Sequence, residues 1–206
     1  MKLIWTSIKQ AGTDVWDELL YLILLNFIWL VGTLLIIPWP FVTFGLFLVM
    51  YDVGGGKGIK FDTFFRQAAR LWKQAYIWGV VNLAVTALVW SNLSFYAAIE
   101  SQWARMVQLF FVGIGLTWLM IQLTALPLYP RLEQPGLKPA LQNALVLLGR
   151  YPGLIITFLL LIILTAVILW YAPVLSIFCG AALVAAVANR LVGNAVDNEL
   201  TQNNAP

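Results

Sequence analysis

The sequence predicts an all-α integral membrane helix bundle, and three observations carry that reading. Of the 206 residues, 62% are hydrophobic and only 10% are charged, with a mean hydropathy of +0.87. Ordinary soluble domains are about 45–50% apolar and about 25% charged, so the bilayer must be the solvent for most of this surface. The apolar residues gather into about six segments separated by proline-bearing or polar breaks, and the longer breaks are basic.

Residues 1–10 place Leu3, Ile4, Trp5 and Ile8 beside Lys2 and Lys9, the pattern of a short interfacial helix with a tryptophan at headgroup depth. Residues 19–37 form the first uncharged span, long enough for a hydrocarbon core that takes about 20 apolar residues. Pro38 and Pro40 stop it, because proline lacks an N–H and disfavours helix in the residue before it. The next apolar run, 41–51, is short: at 1.5 Å per residue it covers roughly 16 Å. Residues 74–99 and 106–128 are two longer spans flanking the polar turn 100–105. Pro139 suits the first turn of a helix whose apolar face is Leu141, Ala144, Leu145 and Leu148. Spans at 153–171 and 174–189 follow. In the last, Ser176, Gly180, Ala182 and Ala186 are small residues at a spacing that lets helices approach closely in lipid. Residues 1–192 read as one transmembrane domain and 193–206 as a polar tail, frayed at its end.

The stretch 52–74 organises the topology. It opens on Gly54, Gly55, Gly56 and Gly58, read as a hinge, and carries Lys57, Lys60, Arg66, Arg70 and Lys73 against Asp52 and Asp62. From Phe61 to Lys73 it reads as a basic amphipathic helix with Asp62 capping its start. Arg66, Arg70 and Lys73 form one face, a candidate cytoplasmic docking face for anionic lipid or an acidic membrane-protein partner. With six segments, eleven of the twelve basic residues fall on one side and only Arg105 on the other. Positive charge marks the cytoplasmic side, which places both termini, 52–74 and 131–150 there.

Several chemistries are disfavoured. The chain has no histidine, the commonest general base and metal ligand, and Cys179 is its only cysteine. No carboxylate lies deep in a span, which disfavours ion-coupled transport. The Gly-Lys run lacks the Ser/Thr and the preceding strand of a phosphate loop. The basic residues flank membrane segments and form no separate basic domain, so nucleic acid is not an expected partner. No catalytic residue, cofactor site or metal site is expected, and no cleavable leader is evident. Asn26, Asn82, Asn92 and Gln122, with Gln108, are candidate intramembrane polar contacts. They either bond neighbouring helices or line a solute path.

Asn26 and Trp29, then Pro40, Thr43 and Gly45, then Phe64, Arg66, Trp72 and Lys73 occur in an order that resembles the YesL-like bacterial membrane proteins, a family of unknown function. The runs LPLYPR (126–131) and LQNAL (141–145) extend the likeness, which covers roughly 20–150. Leu46 departs from the proline often found after that glycine. The resemblance implies a bacterial inner-membrane location and an association with carbohydrate uptake, with no site residues to carry over. The expected function is a non-catalytic accessory or scaffold component. The alternative is a facilitator or permease subunit for a small polar solute.

Overall fold

The computed structural model describes residues 2–59 and 61–203, and these form helices and short connections with no strand. Lys60, one cation of the basic stretch, and residues 204–206 of the expected tail lie outside the described residues. The helices are α1 (Lys2–Asp17), α2 (Leu19–Leu34), α3 (Trp39–Gly54), α4 (Phe61–Arg70), α5 (Trp72–Ala97), α6 (Gln102–Leu128), α7 (Leu137–Arg150) and α8 (Pro152–Tyr171). The last, α9, begins at Pro173–Leu175, widens into a π turn at Ser176–Gly180 and continues as Ala181–Asn203. Among the described residues, four helices are long and apolar enough to cross a membrane, and five if α1 and α2, bent by 91°, count as one.

The helix that the apolar run 41–51 led one to expect as marginal is the centre of the bundle. Of its 16 residues, 11 are buried, from Pro40 to Val53. Trp39 and Pro40 belong to it, because a proline in the first helical turn sacrifices only an N–H that has no intrahelical partner. Three close approaches enclose it. A side chain at Gly32 of α2 would meet Val42 at 2.7 Å, one at Gly45 would meet the Phe64 ring at 2.7 Å and Ala68 at 3.2 Å, and one at Gly79 would strike the Pro40 ring.

The contact at Gly45 explains α4. Phe64 and Ala68 are fully buried against α3, so this amphipathic helix folds back onto the bundle. Two expectations need correction. The helix ends at Arg70, the chain bends at Leu71, and Lys73 sits in the first turn of α5. Asp62 binds Arg66 and Thr63 where a backbone cap was expected.

Within the glycine run, expected as a hinge, the chain forms a helix cap. Gly56, at φ +77°, closes α3: its N–H donates to the Val53 carbonyl (2.9 Å), and Lys57 N–H donates to that of Asp52 (3.0 Å). This pair of bonds around a left-handed glycine is a Schellman cap.

Beyond Asn82, no α5 residue is buried, nor is any α6 residue from Arg105 to Leu119. The two form a hairpin tied by Tyr96 stacking on Phe111 (5.9–6.3 Å from Trp103 and Phe111) and by Gln108 donating to the Leu93 carbonyl (3.2 Å). At the other end of the chain, the tail expected from 193 is helical to Asn203. Ala195 is buried there, as are Leu191 and Val192 just before it, and α1 packs along this part of α9.

The small residues of α9 divide. Ala182 and Ala186 are buried in the core. Ser176 and Gly180 border a cavity of about 340 Å³ with Trp29, Thr43 and Thr165. A side chain at Gly180 would meet only Ser176 of its own helix, at 3.4 Å. Gly79→Ala is therefore expected to overpack the α3–α5 contact, at a cost of about 1–3 kcal/mol. Gly180→Ala should stay within about 0.5 kcal/mol of the parent. Thermal unfolding of the purified chain in detergent checks both.

Candidate functional site

The polar side chains of the bundle fall into two sets, amides between helices and charges gathered at one end. Asn26, midway along α2, receives the N–H of Ala182 on its Oδ1 (3.0 Å). Its Nδ2 donates to the carbonyls of Ile177 (2.6 Å) and Ser176 (3.3 Å). A π turn widens the backbone at Ser176–Gly180, and the Asn26 amide bonds to it from α2. Three residues on, Trp29 donates its indole N–H to Thr43 Oγ1 (3.0 Å), tying α2 to α3.

Between α5 and α6 two tryptophan–amide pairs cross. Trp78 donates to Gln122 Oε1 (2.6 Å), and Trp118 donates to Asn82 Oδ1 (3.0 Å). Tryptophan can only donate, so each amide must turn its oxygen to the indole. Asn82 Nδ2 finds the Trp78 carbonyl (2.8 Å), whereas the buried Gln122 Nε2 has no partner among the described residues. Both amides border a cavity of about 320 Å³ whose other lining includes Ile77, Val81, Leu141 and Leu145. Asn92 does not border it and bonds the Leu88 carbonyl of its own helix (2.8 Å).

On the candidate docking face, Arg66 is paired with Asp62. Arg70 and Lys73 are exposed, with no carboxylate within 4.0 Å among the described residues. Lys73 stands over the Trp72 ring at 5.7 Å. Nearby, Asp52 accepts from Lys57 (3.0 Å) and from Gln67 (2.8 Å), joining the cap of α3 to α4. That hydrogen bond and charge hold the Lys57 pKa above the ordinary lysine value.

Sequence reasoning missed the residues that close the bundle. Arg190 makes a two-pronged ion pair with Asp14 (2.6 and 2.7 Å), linking α9 to α1. Asn194 donates to Ser7 and Gln10, both at 2.9 Å. Arg131, in the turn after α6, donates to the Pro127 carbonyl (2.5 Å), to Asn189 Oδ1 (3.1 Å) and to the Asn189 carbonyl (3.2 Å). Asn189 Nδ2 donates in turn to the Phe47 carbonyl of α3 (3.2 Å). Arg131 and Arg190 had counted only as topological charges. An arginine beside the glycine-bearing helix it must approach was the one available signal: a side chain at Gly193 would lie 2.9 Å from the Arg131 guanidinium.

Asn26→Ala removes three interhelical bonds and leaves buried groups unmatched, so a loss of about 1–3 kcal/mol is expected. Asn92→Ala removes one bond within a helix and should cost less than about 0.5 kcal/mol. Equal losses in thermal unfolding would contradict the division between interhelical and local amides.

No metal-competent group of three or more His, Cys, Asp or Glu side chains occurs among the described residues. Compared with known proteins, the chain matches no family model, no curated protein and no solved structure.

Proposed function

We propose that this chain is a multi-pass membrane protein without a catalytic centre, an accessory or scaffold component that docks an acidic partner protein through the basic end of its bundle. The side chains left exposed on α2, α5, α6 and α8 are largely apolar, including the four consecutive residues Leu34–Ile37, each between 62% and 75% exposed. Lipid is the solvent that such a surface suits. The helices α2 and α3, at about 24 Å each, are shorter than a hydrocarbon core of about 30 Å. As a hairpin they return the chain to one side whether or not they cross fully. The charge split therefore favours a cytoplasmic basic end in either case.

The observation that carries the docking reading is how the polar groups are spent. Asn26, Asn82 and Gln122, which a solute path would need, are bonded to other helices or their side chains, while Arg70 and Lys73 stand exposed and unneutralised. A facilitator for a small polar solute is the second reading, favoured by the cavity that Asn82 and Gln122 border.

Two measurements test this. In a Cys179→Ser background, Ser101→Cys should react with an impermeant thiol reagent added outside, and Gly58→Cys should not. The opposite pattern overturns the orientation. Reversing Arg70 and Lys73 to Glu should lower recovery of the native-membrane complex by about tenfold or more, since each cation contributes about 1 kcal/mol near an anionic surface. Unchanged recovery, together with saturable solute flux in reconstituted vesicles, would favour the facilitator.

A further inference from the structure

At the charged end, a cavity of about 470 Å³ lies between the end of α3, the turn carrying Arg131 and the last turns of α9. It is lined by three cations, Lys57, Arg131 and Arg190, and by two carboxylates, Asp52 and Asp197. Two of the cations are already neutralised: Lys57 by Asp52 and Arg190 by Asp14. What remains is one cation and one anion. Neither Arg131 nor Asp197 has an oppositely charged group within 4.0 Å among the described residues, although both border the same space.

Arg131 is not free to swing toward Asp197. Its guanidinium is fixed by two carbonyls and the Asn189 amide, and it lies over the Tyr51 ring at 4.7 Å. These three bonds use three of its five N–H groups, so one on Nη2 and the one on Nε make no hydrogen bond among the described residues. A simple anion fits badly, because it would meet the unneutralised Asp197. A simple cation would meet Arg131. A molecule carrying both charges satisfies each at once.

We propose that this cavity binds a phosphate–ammonium zwitterion of the phosphoethanolamine type, with its phosphate on Arg131 and its ammonium on Asp197. The same chemistry is presented by a free phosphoethanolamine and by the headgroup of phosphatidylethanolamine. The site is separate from the Arg70 and Lys73 face and does not depend on docking there.

The test uses the full chain purified in a non-ionic detergent, with thermal stabilisation read against phosphoethanolamine, inorganic phosphate and ethanolamine at constant ionic strength. Phosphoethanolamine should stabilise saturably, at a concentration about tenfold or more below either half alone, as two charged hydrogen-bonding groups act together. Asp197→Asn, at an exposed position of α9, should leave the fold intact and reduce phosphoethanolamine to the level of phosphate. Arg131→Lys should weaken both phosphate-bearing probes. A second arm compares retention of phosphatidylethanolamine, phosphatidylcholine and phosphatidylglycerol in native mass spectrometry. Preferential retention of phosphatidylethanolamine without binding of the free compound identifies the lipid as the source, and binding of the free compound identifies a soluble ligand. Both support the zwitterion site. No saturable response to phosphoethanolamine together with no preference for phosphatidylethanolamine overturns it. So does an Asp197→Asn variant that binds phosphoethanolamine equally well or more tightly.

Discussion

The fold depends on how closely other helices can approach α3. Glycines provide that approach on three sides: Gly32 opens α2 to Val42, Gly45 opens α3 to Phe64 and Ala68, and Gly79 opens α5 to Pro40. In lipid there is no large hydrophobic gain from bringing two apolar helices together, because the tails are as apolar as the side chains. Association has to come from close van der Waals packing and from hydrogen bonds. A 16-residue helix with 11 buried residues is what such packing produces. It also sets the course of the neighbouring chain: α4 must fold back along α3, and α5 can leave it only after Gly79.

Hydrogen bonds and ion pairs then close what packing has assembled. Asn26 reaches residues 150 and more positions away in sequence, and Asp14 holds Arg190 across 176. The first two helices are thereby fastened to the last. These bonds also fasten the π turn at Ser176–Gly180 to α2 through the Asn26 amide. The charged end differs from the rest in kind. There Arg131 is held by neutral acceptors, with no carboxylate within 4.0 Å among the described residues.

Composition and periodicity were enough to read an all-helical bundle with long apolar segments; of the amides singled out, Asn26, Asn82 and Gln122 bond other helices or their side chains, whereas Asn92 bonds its own helix. The rest was hidden by specific physics. Pro38 and Pro40 read as breakers, but a helix start tolerates proline, so α3 extends back to Trp39. Four glycines suggested flexibility, yet a Schellman cap needs one of them at positive φ, and that is Gly56. Nothing in the local sequence marks the bend at Leu71, which reconciles a helix packed on Gly45 with one packed on Pro40. The polar residues after Arg190 masked Leu191, Val192 and Ala195, whose helical spacing was the available sign that α9 continues. The pairing of Arg190 with Asp14, and the cavity that Arg131 and Asp197 both border, are tertiary facts with no local signature.

The central claim is that α3 is held by contacts that only a glycine permits, and the Gly45–Phe64 contact tests it most directly. A double-mutant cycle of Gly45→Ala and Phe64→Leu, read by reversible unfolding in detergent, measures whether the two positions act as one. Added bulk at Gly45 strikes the Phe64 ring, and shortening that ring makes room for it. The account predicts that each single variant is destabilised and that the double variant is more stable than the sum of the two losses, with a coupling of about 0.5–3 kcal/mol. Strict additivity would mean that Phe64 and Gly45 are not in limiting contact, and would contradict the central place given to α3.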